Sequence, residues 1–517
     1  MSDLETQKDL ESKQQKISLD ELTNFCKSKG FVFKSSDIYG GFAGFWDFGP
    51  LGVELFDNLK REFWKFFVHQ RDDMLGMEAS IISHPTTWKA SGHIEGFNDM
   101  IIYCKKNKKD FRADHLIDEV LDLNVEGMES DDVIKIIKDN SEKFEEKGYD
   151  LEYNIKSFNL LFKTNVGAIN PVDAYLRGET AQGMFMDFKL IHQTSRAQVP
   201  FGIAQIGRCF RNEIAPRNFL FRCREFHIGE FEYFIHPDEN ECPILDKKRL
   251  DIKFDFLSAE TQQEGKNELK NVSMKELIKQ KKLGEWHAYW LADQIIWFRK
   301  LGLEKIKIRE HTKDELSHYS AGTFDVDYEY PFGSKELAGN ANRRQYDLGQ
   351  HQKFSGQNME IFDDKTGKKI IPQVIEPTFG MERIFLALIV NGYTKNEKGE
   401  IVLKLPPKLA PYKVAVLPLT NKLDEKAREV YSFVNDEHNS FYDKSGSVGR
   451  RYARQDEIGT PFCVTVDFDT LEDHSVTIRD RDSTKQVRVK VADLRDVIRK
   501  LVNGELEFEK AGELIVK

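Results

Sequence analysis

Five arginines and four glutamates lie within a single stretch of the chain, from Gly207 to Glu232. A guanidinium is planar and permanently charged, and it can hold phosphate oxygens through two parallel hydrogen bonds. Phe226 adds a flat face for a base. The stretch therefore has the residue types of an ATP site, although an exposed hairpin laced with salt bridges would have the same composition. The charged residues are Arg208, Arg211, Glu213, Arg217, Arg222, Arg224, Glu225, Glu230 and Glu232.

The same stretch also predicts the elements that position these side chains. Apolar and polar residues roughly alternate on both sides of Pro216, which is typical of two half-buried strands joined by a loop. Further along, Val374–Ile389 predicts a strand, a glycine turn and a buried helix. Arg383 opens that apolar helix, where an arginine would be costly to bury without an anionic partner. The phosphates of ATP would be such a partner.

Other segments give weaker signals. Helical spacing predicts an amphipathic helix over Leu51–Gln70, followed by a strand that ends at Pro85. Tyr175–Gly183 predicts a turn into a helix, where Glu179 has an ordinary explanation as an acidic residue beside a helix N-terminus. The tryptophans between residues 286 and 297 fall close to one helical face and favour packing over base stacking.

Composition narrows the class of protein. The 517 residues carry a formal net charge of −10, and they are too many for one ordinary core. No apolar run approaches the roughly 20 residues of a membrane span, and the mixed-charge start is unlike a secretory signal. Six scattered cysteines without a C-x-x-C pair argue against structural zinc and for a reducing, cytoplasmic setting. Net charge alone does not decide whether RNA binds, because a local basic stripe is sufficient.

The motifs together resemble a known family. F-R-N-E at 210–213, a loop, and F-R-C-R-E-F at 221–226 are similar to motif 2 of the class II aminoacyl-tRNA synthetases. The full form of this hairpin is similar to that of the dimeric glycyl-tRNA synthetases. The helix and strand before Pro85 resemble motif 1, and Gly380 with Arg383 resembles motif 3. The resemblance extends from about Phe31 to near the C-terminus.

The resemblance implies an α+β fold, with an antiparallel-sheet catalytic domain of class II, helical insertions and a C-terminal α/β anticodon-binding domain. The expected divisions are a disordered tail over 1–17, a catalytic domain over 18–405 and an anticodon-binding domain over 410–517. Small, mostly helical insertions are expected at about 104–162 and 259–320. A Gly/Arg turn with Arg450, Arg451 and Arg454, and a hairpin with Arg479 and Arg481, are candidates for a basic stripe that binds RNA.

The resemblance also implies the activity. Glycine would be attached to tRNA(Gly) at the expense of ATP, through a glycyl-adenylate, with release of AMP and pyrophosphate. ATP would act with Mg²⁺, which prefers oxygen ligands, and Glu336 is the expected helper for the metal. A homodimer is expected because motif 1 pairs across a two-fold axis in the family, and no membrane partner is expected.

The family motifs assign site residues by position in this chain. Arg211 would bridge the α-phosphate and the attacking carboxylate, and Phe226 and Arg383 would enclose the purine. Catalytic roles are expected for Arg211 and Arg383. The expected ATP contacts are Arg211, Asn212, Glu213, Phe221, Arg222, Phe226, Glu336, Leu337, Gly380, Met381, Glu382 and Arg383. The expected glycine contacts are Arg112, Glu179, Phe226, His227, Gly229, Glu230, Arg343, Glu376, Thr378 and Gly380.

The chemistry of glycine sets two requirements on its pocket. The ammonium group is the part of glycine that a pocket can bind strongly, so carboxylates are expected around it. Carboxylates that lie close together repel one another unless a cation lies among them. A pocket must also exclude the methyl group of alanine sterically, because contacts alone would favour it. Three other functions compete with this one: a non-catalytic accessory subunit, a tRNA-independent ligase, and a synthetase for serine, threonine or proline. The retained motif arginines count against an accessory subunit, and the C-terminal unit counts against a tRNA-independent ligase. The E-P-T-F-G segment favours glycine over serine, threonine or proline.

Overall fold

A computed structural model describes residues 17–123, 125, 128, 130–239, 241–316 and 320–515. The expected tail over 1–17 thus lies outside the described residues, except for Ile17, which is buried. The first helix, Leu19–Lys29, begins after Ser18, whose hydroxyl accepts a hydrogen bond from the Glu21 amide at 3.1 Å. Within the described residues, no helix combines the length and apolar character needed to cross a bilayer.

A nine-stranded sheet forms the centre of the larger part of the chain. Its order is β5-β4-β6-β7-β8-β9-β3-β2-β1, and neighbours are antiparallel except in the β1–β2 and β4–β6 pairs. The predicted motif 2 hairpin is confirmed as β2 and β3, in which Phe210 pairs with Glu225. The strands are β1 (Met74–Gly76), β2 (Phe201–Phe210), β3 (Glu225–Ile235), β4 (Lys253–Leu257), β5 (Lys270–Ser273), β6 (Ile306–Glu310), β7 (Thr323–Tyr330), β8 (Gly333–Arg344) and β9 (Gln373–Gly380).

Five helices pack around this sheet. They are α1 (Pro50–Trp64), α2 (Ala181–Ser195), α3 (Glu285–Lys300), α4 (Tyr346–Ser355) and α5 (Met381–Gly392). The predicted motif 1 helix is confirmed, since α1 continues as a π-helical turn over Lys65–His69. The predicted strand up to Pro85 is wrong in extent. The chain forms only β1 and the two-residue strand Ile82–Ser83, and Pro85 opens a short helix, where its missing N–H breaks no hydrogen bond.

The other short elements of the larger part flank this arrangement. The strands are Val32–Lys34, Trp46–Phe48, Asn98–Cys104, Lys109–Arg112, Leu151–Asn159, Lys163–Val166, Val172–Leu176, Ile361–Asp363, Lys368–Ile370, Tyr393–Lys395 and Ile401–Leu403. The helices are Pro85–Ala90, His93–Gly96, Ala113–Leu121, Ser130–Asp139, Ser141–Glu146, Lys247–Leu250, Ala259–Gln263 and Met274–Lys279.

The first expected insertion is not mostly helical. Asn98–Cys104, Lys109–Arg112 and Leu151–Asn159 form a three-stranded antiparallel sheet, on which three helices pack around a small apolar core. The unit therefore begins before residue 104. The hairpin was not recognisable from the sequence, because the lysine-rich residues at 105–108 form the exposed turn between its two strands.

The second expected insertion belongs to the sheet rather than to an appended unit. Strands β5 and β6 lie within 259–320 and join the nine-stranded sheet. Helix α3 is buried on most sides, and Trp297 contacts Phe379 of β9 with ring centroids 5.4 Å apart. The tryptophan stripe therefore packs in the core, as its spacing predicted.

The C-terminal part has its own sheet and core. Strand order is β11-β10-β12-β13-β14-β15, with β10 parallel to β11 and β12 and the other pairs antiparallel. The segment predicted as a Gly/Arg turn forms helix α7 instead. The elements are β10 (Val414–Pro418), β11 (Ser440–Tyr442), β12 (Phe462–Val466), β13 (Ser475–Asp480), β14 (Gln486–Lys490), β15 (Glu513–Leu514), α6 (Asp424–Asn435), α7 (Val448–Ile458) and α8 (Leu494–Asn503).

Candidate active site

A cavity opens where the motif 2 hairpin meets β9, β8 and the start of α5. Alternation along β9 points Ile375 and Phe379 into the core and Glu376, Thr378 and Gly380 to the opposite face. The cavity brings together predicted residues that are far apart in sequence. Those that line it are Arg211, Glu213, Phe221, Arg222, Phe226, His227, Glu336, Thr378, Gly380, Glu382 and Arg383.

Arg211 is held at the cavity wall without being neutralised. Its Nε donates to the Gly178 carbonyl at 3.2 Å, and its Cζ lies 5.5 Å from the Phe226 ring centroid. Among the described residues, Arg211 forms no ion pair. The charge of this guanidinium is therefore available to an anion.

Arg383 lies on the opposite wall and already has a carboxylate partner. Its Nη1 lies 2.9 Å from Glu336 Oε2, and its Cζ lies 4.5 Å above the Phe221 ring centroid. Gly380 leaves room for this side chain, because a Cβ there would lie 2.9 Å from Arg383 Cδ. The family motifs pair Arg383 with Phe226 across a purine, whereas in the structure Arg383 stacks on Phe221 and Phe226 faces Arg211.

Glu213 has a buried acceptor atom that no described residue satisfies. Its Oε2 receives no hydrogen bond, although Arg112 Nη1 and Arg222 Nη1 lie 3.8 and 3.9 Å away. Arg222 Nη1 donates to Nε2 of His115 at 2.8 Å. Burial and the nearby Arg112 lower the pKa of His115 to about 3, so the imidazole is neutral and accepts this bond. An amino group of a ligand would fit the free Glu213 oxygen.

The carboxylates near Glu336 fit a magnesium ion held together with a phosphate ligand. Asp327 on β7 is the cross-strand partner of Glu336 on β8. Burial and the neighbouring Asp325 raise the pKa of Asp327 to about 7. Mg²⁺ takes carboxylate oxygens and usually keeps several waters, so Glu336, which is 45% exposed, with Asp327 behind it, is a suitable donor set.

A second group of acidic residues lies beside the cavity and is almost completely buried. Glu230 on β3 accepts hydrogen bonds from the hydroxyls of Thr180 and Thr378, the latter at 2.9 Å. Thr378 also lines the cavity, so it connects the cavity with this buried acidic group. Burial and the nearby Glu179 raise the pKa of Glu230.

Arg343 is the cation inside this acidic pocket. Its side chain is 1% exposed, and Nη1 donates to Glu376 Oε1 at 2.6 Å. Nε and Nη2 donate to the two oxygens of Asp347 at 2.7 and 2.8 Å. The expected cation among the carboxylates is thus supplied in part by the chain itself.

Glu179 is held by different partners. His93 Nε2 lies 3.2 Å from its Oε2, and Gln182 Nε2 donates to its Oε1 at 2.8 Å. Burial alone would raise the pKa of Glu179, but His93, Arg343 and Gln182 together lower it. The carboxylate therefore stays ionised.

Several predicted residues lie outside the cavity and the acidic pocket, or contact them only through a neighbouring side chain. Leu337 and Met381 are fully buried in the core, and Gly229 faces Met381 and Phe63 there. The main-chain N–H of Asn212 donates to the Leu160 carbonyl at 2.7 Å, and Asn212 does not line the cavity. Glu382 holds the amide and the Nδ1 of His227, each at 2.7 Å. The described contacts of Arg112 are with Asp99, Asp114 and Glu213 rather than with the acidic pocket.

The sequence did not lead us to predict several residues that contact the cavity or the acidic pocket. Glu232 follows Glu230 by two positions on the same strand face, so alternation gave a signal for it. Asp347 was also missed, although its spacing of four residues from the predicted Arg343, across a strand end and a helix start, gave a weaker signal. The remaining partners come from distant segments and had no local signal. These are Asp99, His115, His93 and Phe97.

Comparison with known proteins covers nearly the whole chain. Residues 413–501 match the family described as an anticodon-binding domain. A glycine–tRNA ligase of Caldanaerobacter subterraneus subsp. tengcongensis is 42% identical over 505 residues, which cover 95% of this chain and 99% of the relative. The chain belongs to the glycine–tRNA ligase family. Members from Clostridium kluyveri and Geobacillus thermodenitrificans are each 41% identical, and the matches cover 94% of this chain and 98% of each relative.

The basic stripe expected in the anticodon-binding unit of this family member is wrong for most of its arginines. Arg451 is buried and donates to main-chain carbonyls, including that of Pro418. Arg479 pairs with Asp456 at 2.9 Å, and Arg481 donates to the carbonyls of Gly459 and Leu405. Arg454 pairs with Asp443. The side chains of Arg451 and Arg481 are buried within the C-terminal unit and that of Arg479 is 11% exposed, so these three are not free to contact phosphates, whereas Arg454 is 45% exposed in its pair.

Proposed function

We propose that the chain attaches glycine to tRNA(Gly) in two steps, with ATP as the energy source. The observation that carries the proposal is near-complete coverage by glycine–tRNA ligases at about 41–42% identity. The unneutralised Arg211 beside Phe226 supports it, because an accessory subunit that had lost activity would not need a free guanidinium at this wall.

In the first step, a carboxylate oxygen of glycine attacks the α-phosphorus of ATP. The bond from that phosphorus to the bridging oxygen breaks, and pyrophosphate leaves. Arg211 stabilises charge on the α-phosphate and the attacking carboxylate, as preorganised donors do. Phe226 provides a flat face for the purine, while the free Glu213 oxygen accepts its amino group. Arg222 and Arg383 hold the remaining phosphates.

Magnesium, when bound with ATP, neutralises phosphate charge. Glu336 is the residue that would hold it, with Asp327 behind. In the second step, a terminal ribose hydroxyl of the tRNA attacks the glycyl carbonyl, and AMP leaves. No side chain is needed as a nucleophile, since the site acts by positioning and charge stabilisation.

Glycine is selected in the acidic pocket. Glu179, Glu230 and Glu376 surround the ammonium group, and the hydroxyl of Thr378 fixes Glu230 from the cavity side. Arg343 balances part of the negative charge but cannot balance all of it. The remaining negative charge favours a small cationic ligand.

The domain organisation follows from the same proposal. Residues 18–405 form the class II catalytic domain, and residues 410–517 form the unit that binds the anticodon of tRNA(Gly). Separate sheets and separate apolar cores support this division. Six free, buried cysteines suit a reducing cytoplasm.

The active form is a homodimer. The small sheet of Ile82–Ser83, Val172–Leu176 and Lys163–Val166 exposes Ile82 by 49% and Val172 by 58%. This apolar surface is continuous with the motif 1 region that pairs in class II synthetases. A second copy of the chain would cover it.

The test is amino-acid-dependent ATP–pyrophosphate exchange without tRNA, with glycine, alanine, serine, threonine and proline compared. Exchange with glycine alone is expected. Exchange with another amino acid would discard the glycine pocket, and no exchange with any would favour the accessory-subunit function. Transfer of labelled glycine to tRNA(Gly) then tests the second step.

A further inference from the structure

One buried side chain in the acidic pocket has no partner. Glu232 on β3 is 0% exposed, and neither of its carboxyl oxygens is hydrogen bonded to a described residue. A buried polar group without a hydrogen bond is destabilising, and a buried unpaired charge is more so. Glu232 therefore needs either a ligand or a proton.

Strand register places Glu232 against another glutamate. The register that pairs Glu230 with Thr378 and Tyr233 with Ile375 puts Glu232 directly opposite Glu376 on β9. One carboxyl oxygen each from Glu230, Glu232 and Glu376 lies within 4.8 Å of the other two. Like charges opposite each other across a ladder are destabilising. On its other side, Glu232 pairs with the fully buried Ile203, which offers no compensating charge.

The surrounding charges do not neutralise this group. Arg343 is the nearest cation, but it is already shared between Glu376 and Asp347. His351 is hydrogen bonded through its Nε2 to the side-chain oxygen of Gln182 at 2.8 Å. The charged and titratable groups around Glu232 are Glu230 on β3, Glu376 on β9, Arg343 on β8, Asp347 on α4 and Glu179 before α2, with His93 beyond Glu179.

We propose that Glu232 is a positioning residue of the glycine pocket, which holds a proton while the pocket is empty and releases it when the ammonium group of glycine binds. The inference rests on the proposed function and adds a proton to its binding step. The ammonium group brings one positive charge in, the carboxyl O–H bond of Glu232 gives one proton to water, and the charge of the pocket is unchanged.

The direction of the effect follows from the geometry. Burial and the neighbouring Glu376 and Glu230 raise the pKa of Glu232 well above its usual range, so its carboxyl is protonated in the empty pocket. An ammonium group between Glu230 and Glu376 then favours the ionised form of Glu232. Glycine binding therefore strengthens as pH rises, until the empty pocket has lost its proton.

The experiment is isothermal titration calorimetry of the full-length protein with glycine, in two buffers of equal pH and different ionisation enthalpy. We expect about one proton released per glycine at neutral pH, and a dissociation constant that falls about tenfold per pH unit below the pKa of the pocket. The variant Glu232→Gln, which resembles the protonated acid in shape, should release about no protons and show little pH dependence.

Glu225→Gln is the matched control, because Glu225 is on the same strand but pairs with the exposed Arg208 at 2.7 Å. It should release protons as the unchanged protein does. No proton release from the unchanged protein would overturn the inference, even if Glu232→Gln failed to fold. Equal release from Glu232→Gln would also overturn it. Absence of glycine binding would instead contradict the proposed function, so the two failures are distinguishable.

Discussion

The Arg343 guanidinium lies 2.6 Å from the Glu376 carboxylate, and the Arg343 side chain is 1% exposed. Replacement of Arg343 by methionine keeps much of the volume but leaves Glu376 and Asp347 without their cation. We expect the free energy of unfolding to fall by about 3–5 kcal/mol, as when one partner of a buried pair is removed. Denaturant titration measures it. The same change at Arg208, which is 55% exposed in its pair with Glu225, should cost about 0–1 kcal/mol.

Replacement of Arg211 by glutamine should leave the fold intact and reduce glycine-dependent pyrophosphate exchange by about 10²–10³-fold, because a preorganised contact to developing charge is lost. Arg208→Gln is the control on the same hairpin, and its exchange rate should change little. Near-normal exchange in Arg211→Gln would remove Arg211 from the catalytic role.

Replacement of Glu230 by glutamine removes the charge that would face the ammonium group in the proposed glycine pocket, but keeps an acceptor for Thr378. The KM for glycine should rise at least about tenfold, while the KM for ATP stays within a small factor. Exchange kinetics at varied glycine and fixed ATP, then the reverse, give both constants. An unchanged glycine KM would show that the acidic pocket is not where glycine binds.

Replacement of Gly380 by alanine should displace Arg383, because the new Cβ would lie 2.9 Å from Arg383 Cδ. Glu336 and Phe221 fix that side chain, so the KM for ATP should rise more than the KM for glycine. Gly349→Ala is a fair comparison, since a Cβ added at Gly349 would meet nothing within 4 Å. Equal effects on both substrates would argue for a general packing defect.

If the proposed homodimer forms through this surface, replacement of Ile82 by aspartate should convert it to a monomer, because the change places a charge within the exposed apolar sheet. Analytical ultracentrifugation measures the change. Phe468→Asp, at a residue that is 50% exposed in the C-terminal unit, should leave the association unchanged. A monomer before any substitution would refute the proposed dimer.

Much of the catalytic part could be predicted because its signals are local. The motif 2 hairpin, the glycine turn at Gly380 and the helix after it each follow from alternation or helical spacing within one segment. The partners of Arg222 and Glu179 could not be predicted in this way, since His115 and His93 reach them from other segments. The prediction of a basic stripe was wrong for Arg451, Arg479 and Arg481 for a related reason, because Asp456 and main-chain carbonyls already hold them.

The extent of the insertions was also beyond local reasoning. Charged residues at 259–320 suggested a surface unit, yet β6 pairs with β7 and α3 packs on β9. The sequence of a strand does not show which distant strand it will pair with. The sequence of α3, apolar on most faces, was the one available sign of its burial.

Strand β9 presents Glu376, Thr378 and Gly380 at every second position, so a carboxylate of the acidic pocket, the residue that joins this pocket to the cavity and the glycine beside Arg383 share one face of the strand. A single residue inserted or deleted at the start of this strand, before Ile375, would turn all three inward and bring Ile375 and Phe379 out. If the proposed function holds, the choice of amino acid and the binding of the nucleotide depend on the same alternation of side chains along β9, so a shift of the strand would change both together.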